Sequence, residues 1–241
     1  MRRFAFLAAL ALAAFVSPAT HAQSREYLTE AARAFDEGAL RLGDDNARPT
    51  PLRKWPKTKP VAMSFDNPSA APGLVELTRQ AVKLQMAEAG VAVIDREKGD
   101  KSSNYVVLFD ENGFNGQSGY CWGSAWWSKA FDITRAELRI NPSRIRDIDR
   151  CEVHEPMHTL GFNSHPHAAL SVLSYTYKGQ RTLTPLDLHL IHTLYDDRLP
   201  AGTKPAEASQ AACRLLGERL GSSAADIAAV CSDRKGPVRS N

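Results

Sequence analysis

The run His154-Glu155-Pro156-Met157-His158, followed by Gly161 and His165, constrains this chain more than any other part of it. Histidines four apart share one face of a helix, so both imidazoles can reach a single ion, with the glutamate beside them. Gly161 is a residue at which a helix can stop and the chain turn sharply, and such a turn would bring His165 back to the same face. Three imidazoles suit Zn2+ and leave its fourth position open, and the ion lowers the pKa of a bound water to about 7. The expected metal ligands are therefore His154, His158 and His165, and Glu155 is placed to take a proton from the activated water.

The pattern around this run is α+β. The sequence predicts a helix over 25–42, then a Pro-rich basic connector, "NARPTPLRKWPKTKP", that regular structure does not tolerate for long. A strand is expected at Val61 to Phe65. Leu74, Leu77, Ala81 and Leu84 at helical spacing, with Gly90 as the stop, predict a helix over 73–89. "VAVID" and "YVVLF" read as strands, and "GYCWGSAWWSKAFDITRAELRI" as a loop or hairpin whose second half alternates like a strand. Asn141 with Pro142 marks the start of a helix running through Ile145, Ile148 and Cys151 to Gly161. Thr184, Pro185 and Asp187 mark the start of the last core helix, which carries Leu186, Leu190 and Leu194. Helix and strands first, then helix, loop and helix, favour α+β over an alternating parallel sheet.

Arg2 and Arg3 before the apolar run Phe4 to Val16, then small residues to Ala22, read as a secretory signal peptide over 1–22. The run is shorter than the roughly 20 residues that span a bilayer. With that leader go two of the 30 basic residues, against 27 acidic ones, so the balance gives no reason to expect nucleic acid as a partner. The expected product is exported, secreted or periplasmic, without a membrane span, and monomeric. In an oxidising compartment the four cysteines are expected as two disulfides. The most local pairing joins Cys213 to Cys231 and Cys121 to Cys151; the alternative use of Cys151 is as a metal ligand one turn before His154. His189 and His192 share a helix face. Trp122, Trp126 and Trp127 either rim a cleft or pack in the core.

From His154 to Tyr195 the chain resembles the metzincin clan of zinc metallopeptidases, whose pattern is H-E-x-x-H-x-x-G-x-x-H followed by a Met-turn, often S-x-M-S-Y. Ser171 to Tyr175, "SVLSY", is similar to that turn, and "LTPLDLHLIHTLYD" to the helix that packs beneath such sites. The nearest likeness is to a bacterial zincin-related domain family of unknown function. The resemblance implies a zincin-like fold: a twisted mixed sheet with helices, an active-site helix, a Met-turn-like loop and a C-terminal helix. It implies zinc-dependent hydrolysis of peptide bonds in a peptide or protein substrate, with Glu155 as general base and Tyr175 near the developing oxyanion. The catalytic unit would span 59–200, between an N-terminal helical segment and connector over 23–58 and a C-terminal helical extension over 201–241 that holds a disulfide. Three positions depart from the pattern. Ser164 stands where the third histidine is usual, so His165 needs one extra residue in the turn and His167 needs three; Leu173 replaces the methionine; and Pro156 lies inside the motif, where it removes a helical hydrogen bond. The alternative function is a non-catalytic, zincin-like zinc-binding or structural protein of the cell envelope. No cysteine precedes position 121, so latency through a propeptide thiolate is excluded, and residues 23–50 remain either removable or docked.

Overall fold

The computed structural model describes residues 18–43, 48–66, 72–110, 121–142, 151–167, 170–174 and 182–236. In chain order these form α1 (Pro18–Ala39), β1 (Arg41–Leu42), β2 (Arg48–Pro49), β3 (Val61–Asp66), α2 (Pro72–Glu88), β4 (Val93–Asp95), β5 (Tyr105–Phe109), β6 (Trp122–Trp127), β7 (Ile133–Ile140), α3 (Cys151–Thr159), α4 (Pro185–Leu194), α5 (Pro205–Arg219) and α6 (Ala224–Cys231). The class is α+β with a mixed sheet. Most of the expected leader lies outside the described residues, as does the segment between Pro142 and Cys151. No described helix is long and apolar enough to cross a membrane.

The main sheet has the order β4-β3-β5-β7-β6. Its inner neighbours are parallel, and β6 alone runs antiparallel, on the edge. The parallel pair β3 and β4 needs a crossover, which α2 supplies. Along β5, Tyr105, Val107 and Phe109 are buried while Val106 and Leu108 are only partly covered, the alternation of a strand with one face in the core. Register places Ala136, Leu138 and Ile140 of β7 on that same face. The Tyr105 hydroxyl lies 3.0 Å from Thr159 Oγ1, so this is the face that carries α3.

Helix α2 forms where expected but buries a different face. Leu77 and Leu84 are 47% and 51% exposed, and Thr78, Val82, Gln85 and Met86 are buried instead. Val75, Val82 and Met86 also recur at helical spacing, so apolar periodicity marks two faces of this helix. The choice between them is polar: Gln85 Nε2 donates to the Val153 carbonyl of α3 at 2.7 Å.

Helices α1, α5 and α6 share one hydrophobic core with the sheet and α3. Leu28, Phe35, Leu40, Ala212 and Leu216 belong to the same buried cluster as Val107 and Met157. Asp36 of α1 accepts from Arg234 at 2.5 Å and from Ser209 of α5 at 2.9 Å, which joins the two ends of the chain. Both expected disulfides are present: Cys121–Cys151 ties the start of β6 to α3, and Cys213–Cys231 ties α5 to α6. Cys151 is thereby committed to a disulfide and is no metal ligand.

Candidate metal centre

Helix α3 ends in a turn that aims its second histidine. Gly161 N–H donates to the His158 carbonyl and Phe162 N–H to that of Met157, which closes the helix as a Schellman motif with Gly161 at φ 114°. A Cβ at Gly161 would lie 2.2 Å from the Arg53 carbonyl oxygen, so only glycine fits. The carbonyls left open at this end are also met, Thr159 by Trp55 Nε1 at 2.9 Å and Leu160 by the Tyr195 hydroxyl at 2.9 Å. The Phe162 carbonyl then stands 2.7 Å from His158 Nδ1.

Three imidazoles converge. His154 Nε2 lies 3.0 Å from His165 Nε2 and 3.2 Å from His158 Nε2. The three ligand atoms all lie within 4.8 Å of one another, and the group can hold a metal ion. His154 Nδ1 is 2.7 Å from the Val172 carbonyl oxygen, as His158 Nδ1 is from that of Phe162. Carbonyl oxygens only accept, so each Nδ1 carries a proton and, in the neutral rings, each Nε2 a lone pair. Two lone pairs facing each other at this distance repel unless a cation sits between them. Imidazole nitrogens around a tetrahedral zinc lie roughly 3.3 Å apart. The spacing therefore fits an ion of that size.

The Val172 carbonyl is itself held in place. Val172 N–H donates to both carboxylate oxygens of Asp187 at 3.2 Å, and Ser171 Oγ donates to Asp187 Oδ1 at 2.7 Å. Thr184 donates to Oδ2 from both its backbone N–H, at 2.8 Å, and its hydroxyl, at 2.7 Å. Asp187 is fully buried, and burial pushes its carboxyl upward against the pull of these donors. The capping box of α4 is thus also the brace of the turn that orients His154.

Glu155 is half-buried on the side of α3 that meets β6. Burial pushes its carboxyl up to about 8, while a hydrogen bond from the Gly123 N–H works in the opposite direction. A Cβ at Gly123 would lie 2.2 Å from the Glu155 carbonyl oxygen and 3.1 Å from His158 Cβ, so strand and helix touch at the motif. Pro156 leaves the helix continuous. Proline inside a helix is destabilising by about 3 kcal/mol. The helical bond that Pro156 lacks is the one to the Glu152 carbonyl; Pro156 itself is buried, and the next carbonyl along, that of Val153, accepts from Gln85.

Ser164 turns away from the cluster: its hydroxyl donates to the Gly43 carbonyl at 3.2 Å, and His165 arrives one residue later. His167 stands outside the group, exposed, with its N–H on Glu37. His192 Nε2 pairs with Glu88 of α2 at 2.6 Å rather than with His189. Trp122 and Trp126 are each 46% exposed and pair across the strands with Arg139 and Arg135, on the sheet face opposite α3; they are neither core nor rim of the histidine cluster. Trp127, past a register shift, lies beneath the Arg53 guanidinium at 3.4 Å. Tyr175 lies outside the described residues. The residues that sequence reasoning missed are Asp187, Gly123 and the carbonyls of Val172 and Phe162. Of these only Asp187 left a signal, as the third residue of a helix cap. No protein-family model matches the chain, and no curated protein matches it at a significant level.

Proposed function

We propose that this chain is a zincin-like, zinc-dependent metallopeptidase acting outside the cytoplasm. The observation that carries the reading is the convergence of three Nε2 atoms with a carboxylate one residue from the first of them. Zinc, when bound, supplies Lewis acidity toward a water and a substrate carbonyl. His154 and His158, with Nδ1 fixed on carbonyls, hold the donor geometry. Glu155 accepts a proton from the attacking water and returns it to the departing amine nitrogen, with the Gly123 N–H fixing the carboxylate. A dication close by lowers the proton affinity of Glu155 by Coulomb attraction, which leaves the carboxylate ionised and able to act as a base. The two disulfides support an exported setting.

The test is metal content by elemental analysis together with hydrolysis of denatured casein, with and without chelator. One equivalent of zinc and chelator-sensitive cleavage are expected. One equivalent without cleavage would leave the non-catalytic zinc-binding protein as the reading, and no metal would sink both.

A further inference from the structure

Helix α1 and the loop that delivers His165 are joined backbone to backbone. The Gly38 carbonyl at the end of α1 accepts the N–H groups of both Asn163, at 2.7 Å, and Ser164, at 3.2 Å. Gly43 N–H donates to the Asn163 carbonyl at 3.4 Å, and Ser164 Oγ donates to the Gly43 carbonyl at 3.2 Å. Glu37 Oε2 accepts the His167 N–H at 2.8 Å. These contacts bracket His165 on both sides. Glu37 is only 8% exposed, and the cation that pairs with it among the described residues, Arg33, stands 4.0 Å away with its side chain 57% exposed. A nearly buried carboxylate spent on one backbone N–H is an expensive placement unless the position of that N–H matters.

Beyond Phe162, whose N–H closes α3, the irregular segment 163–167 takes its partners from α1 and from Gly43 shortly after it. The bonds to Gly38 and Gly43 occupy Asn163 and Ser164, and the bond to Glu37 occupies His167. Between these anchors lie only His165 and Pro166, and the His165 imidazole reaches His154. Helix α1 is itself locked from behind by α5 and α6, through Leu28 and Phe35 in the core and through Asp36 with Ser209 and Arg234.

We propose that α1 is a permanent part of the metal centre, with Glu37 a positioning residue that sets the His165 loop, so that residues 25–43 are retained in the working protein rather than removed as a propeptide. This rests on the metal-binding reading of the three histidines. Loss of a group bonded directly to a metal ligand lowers metal affinity by about 10- to 100-fold, and Glu37 acts on His165 through the backbone N–H of His167, so the lower end of that range applies.

The experiment measures zinc affinity by chelator competition, and the absorption of the cobalt-substituted protein, for the wild type, Glu37→Ala and Glu37→Gln. Glu37→Ala should weaken zinc at least about tenfold and alter the cobalt spectrum, while Glu37→Gln, whose amide oxygen still accepts the His167 N–H, should restore both. A helix that contributed only to stability would shift the melting temperature and leave affinity and spectrum unchanged; that result would overturn the proposal. Intact-mass analysis of the exported, zinc-loaded protein gives an arm that needs no variant. A mature form beginning before Leu28 is expected, and one beginning after Gly43 with wild-type affinity would overturn the idea. Absence of zinc from the wild type would remove the metal reading itself, a separate outcome.

Discussion

Nδ1 of His154 stands 2.7 Å from the carbonyl oxygen of Val172, and the N–H of Val172 stands 3.2 Å from both oxygens of Asp187. One residue thus links a candidate metal ligand to the cap of a helix that carries none of the three imidazoles. Replacing Asp187 by Asn keeps the shape but sets an amide N–H2 against donors that now find a carboxylate. Asp187→Asn should lower zinc affinity about tenfold and cost about 1–3 kcal/mol of stability. Chelator competition and urea denaturation measure the two effects. Unchanged zinc affinity would show that the Val172 carbonyl is held without Asp187.

The third ligand can be separated from its neighbour. His165 belongs to the cluster and His167 does not, its N–H being spent on Glu37. His165→Ala should weaken zinc binding by orders of magnitude, whereas His167→Ala should leave it nearly unchanged, because the backbone N–H remains. The reverse order in a competition titration would transfer the ligand role to His167.

Much of this centre was legible because the chemistry is local. His154 and His158 are brought together by one helical turn, and Gly161 with its positive φ is the residue that such a turn requires. His165 over Ser164 was legible only as a choice between residue types; what decides it is the bonding of Ser164 to Gly43, from a segment more than a hundred residues away. The same distance hid Gly123, whose importance lies in what a Cβ would strike on α3. It hid the buried face of α2 as well. Leu77 and Leu84 fit the period as well as Val75 and Val82 do, and the winner is set by the reach of Gln85 to Val153. Pro156 raised an objection that a single helix justifies, yet α3 runs through it unbroken, with the proline ring buried.

Lys54 gives a pH prediction. Its ammonium donates to the Leu194 and Asp196 carbonyls at 3.2 and 3.0 Å, and burial pulls its pKa from 10.5 down to about 8. The unfolded chain holds this proton to a higher pH than the folded one, so between about 8 and 10.5 the unfolded state binds more protons and stability rises with pH. In Lys54→Met this rise should be missing relative to wild type. Thermal unfolding of both proteins across that window measures it, and parallel profiles would show that Lys54 does not titrate there.

The Cys121–Cys151 disulfide separates the metal from the base. It fastens the start of β6 to α3, two residues from Gly123, whose N–H is directed at the Glu155 carboxylate, whereas the three histidines are carried by α3 and the loop after it. Removing a crosslink that closes a loop of this size releases about 3–4 kcal/mol of unfolded-chain entropy. The double variant Cys121→Ser, Cys151→Ser should therefore lose stability of that order. Zinc binding should survive at low temperature, because no ligand is on β6. Peptide cleavage should fall by more than zinc affinity does, because the strand that orients Glu155 is no longer pinned to the helix. Calorimetry, chelator competition and a casein assay on the same preparation distinguish these effects. Equal losses in affinity and cleavage would mean that the disulfide acts on the histidines themselves, and that Gly123 has no separate hold on the base.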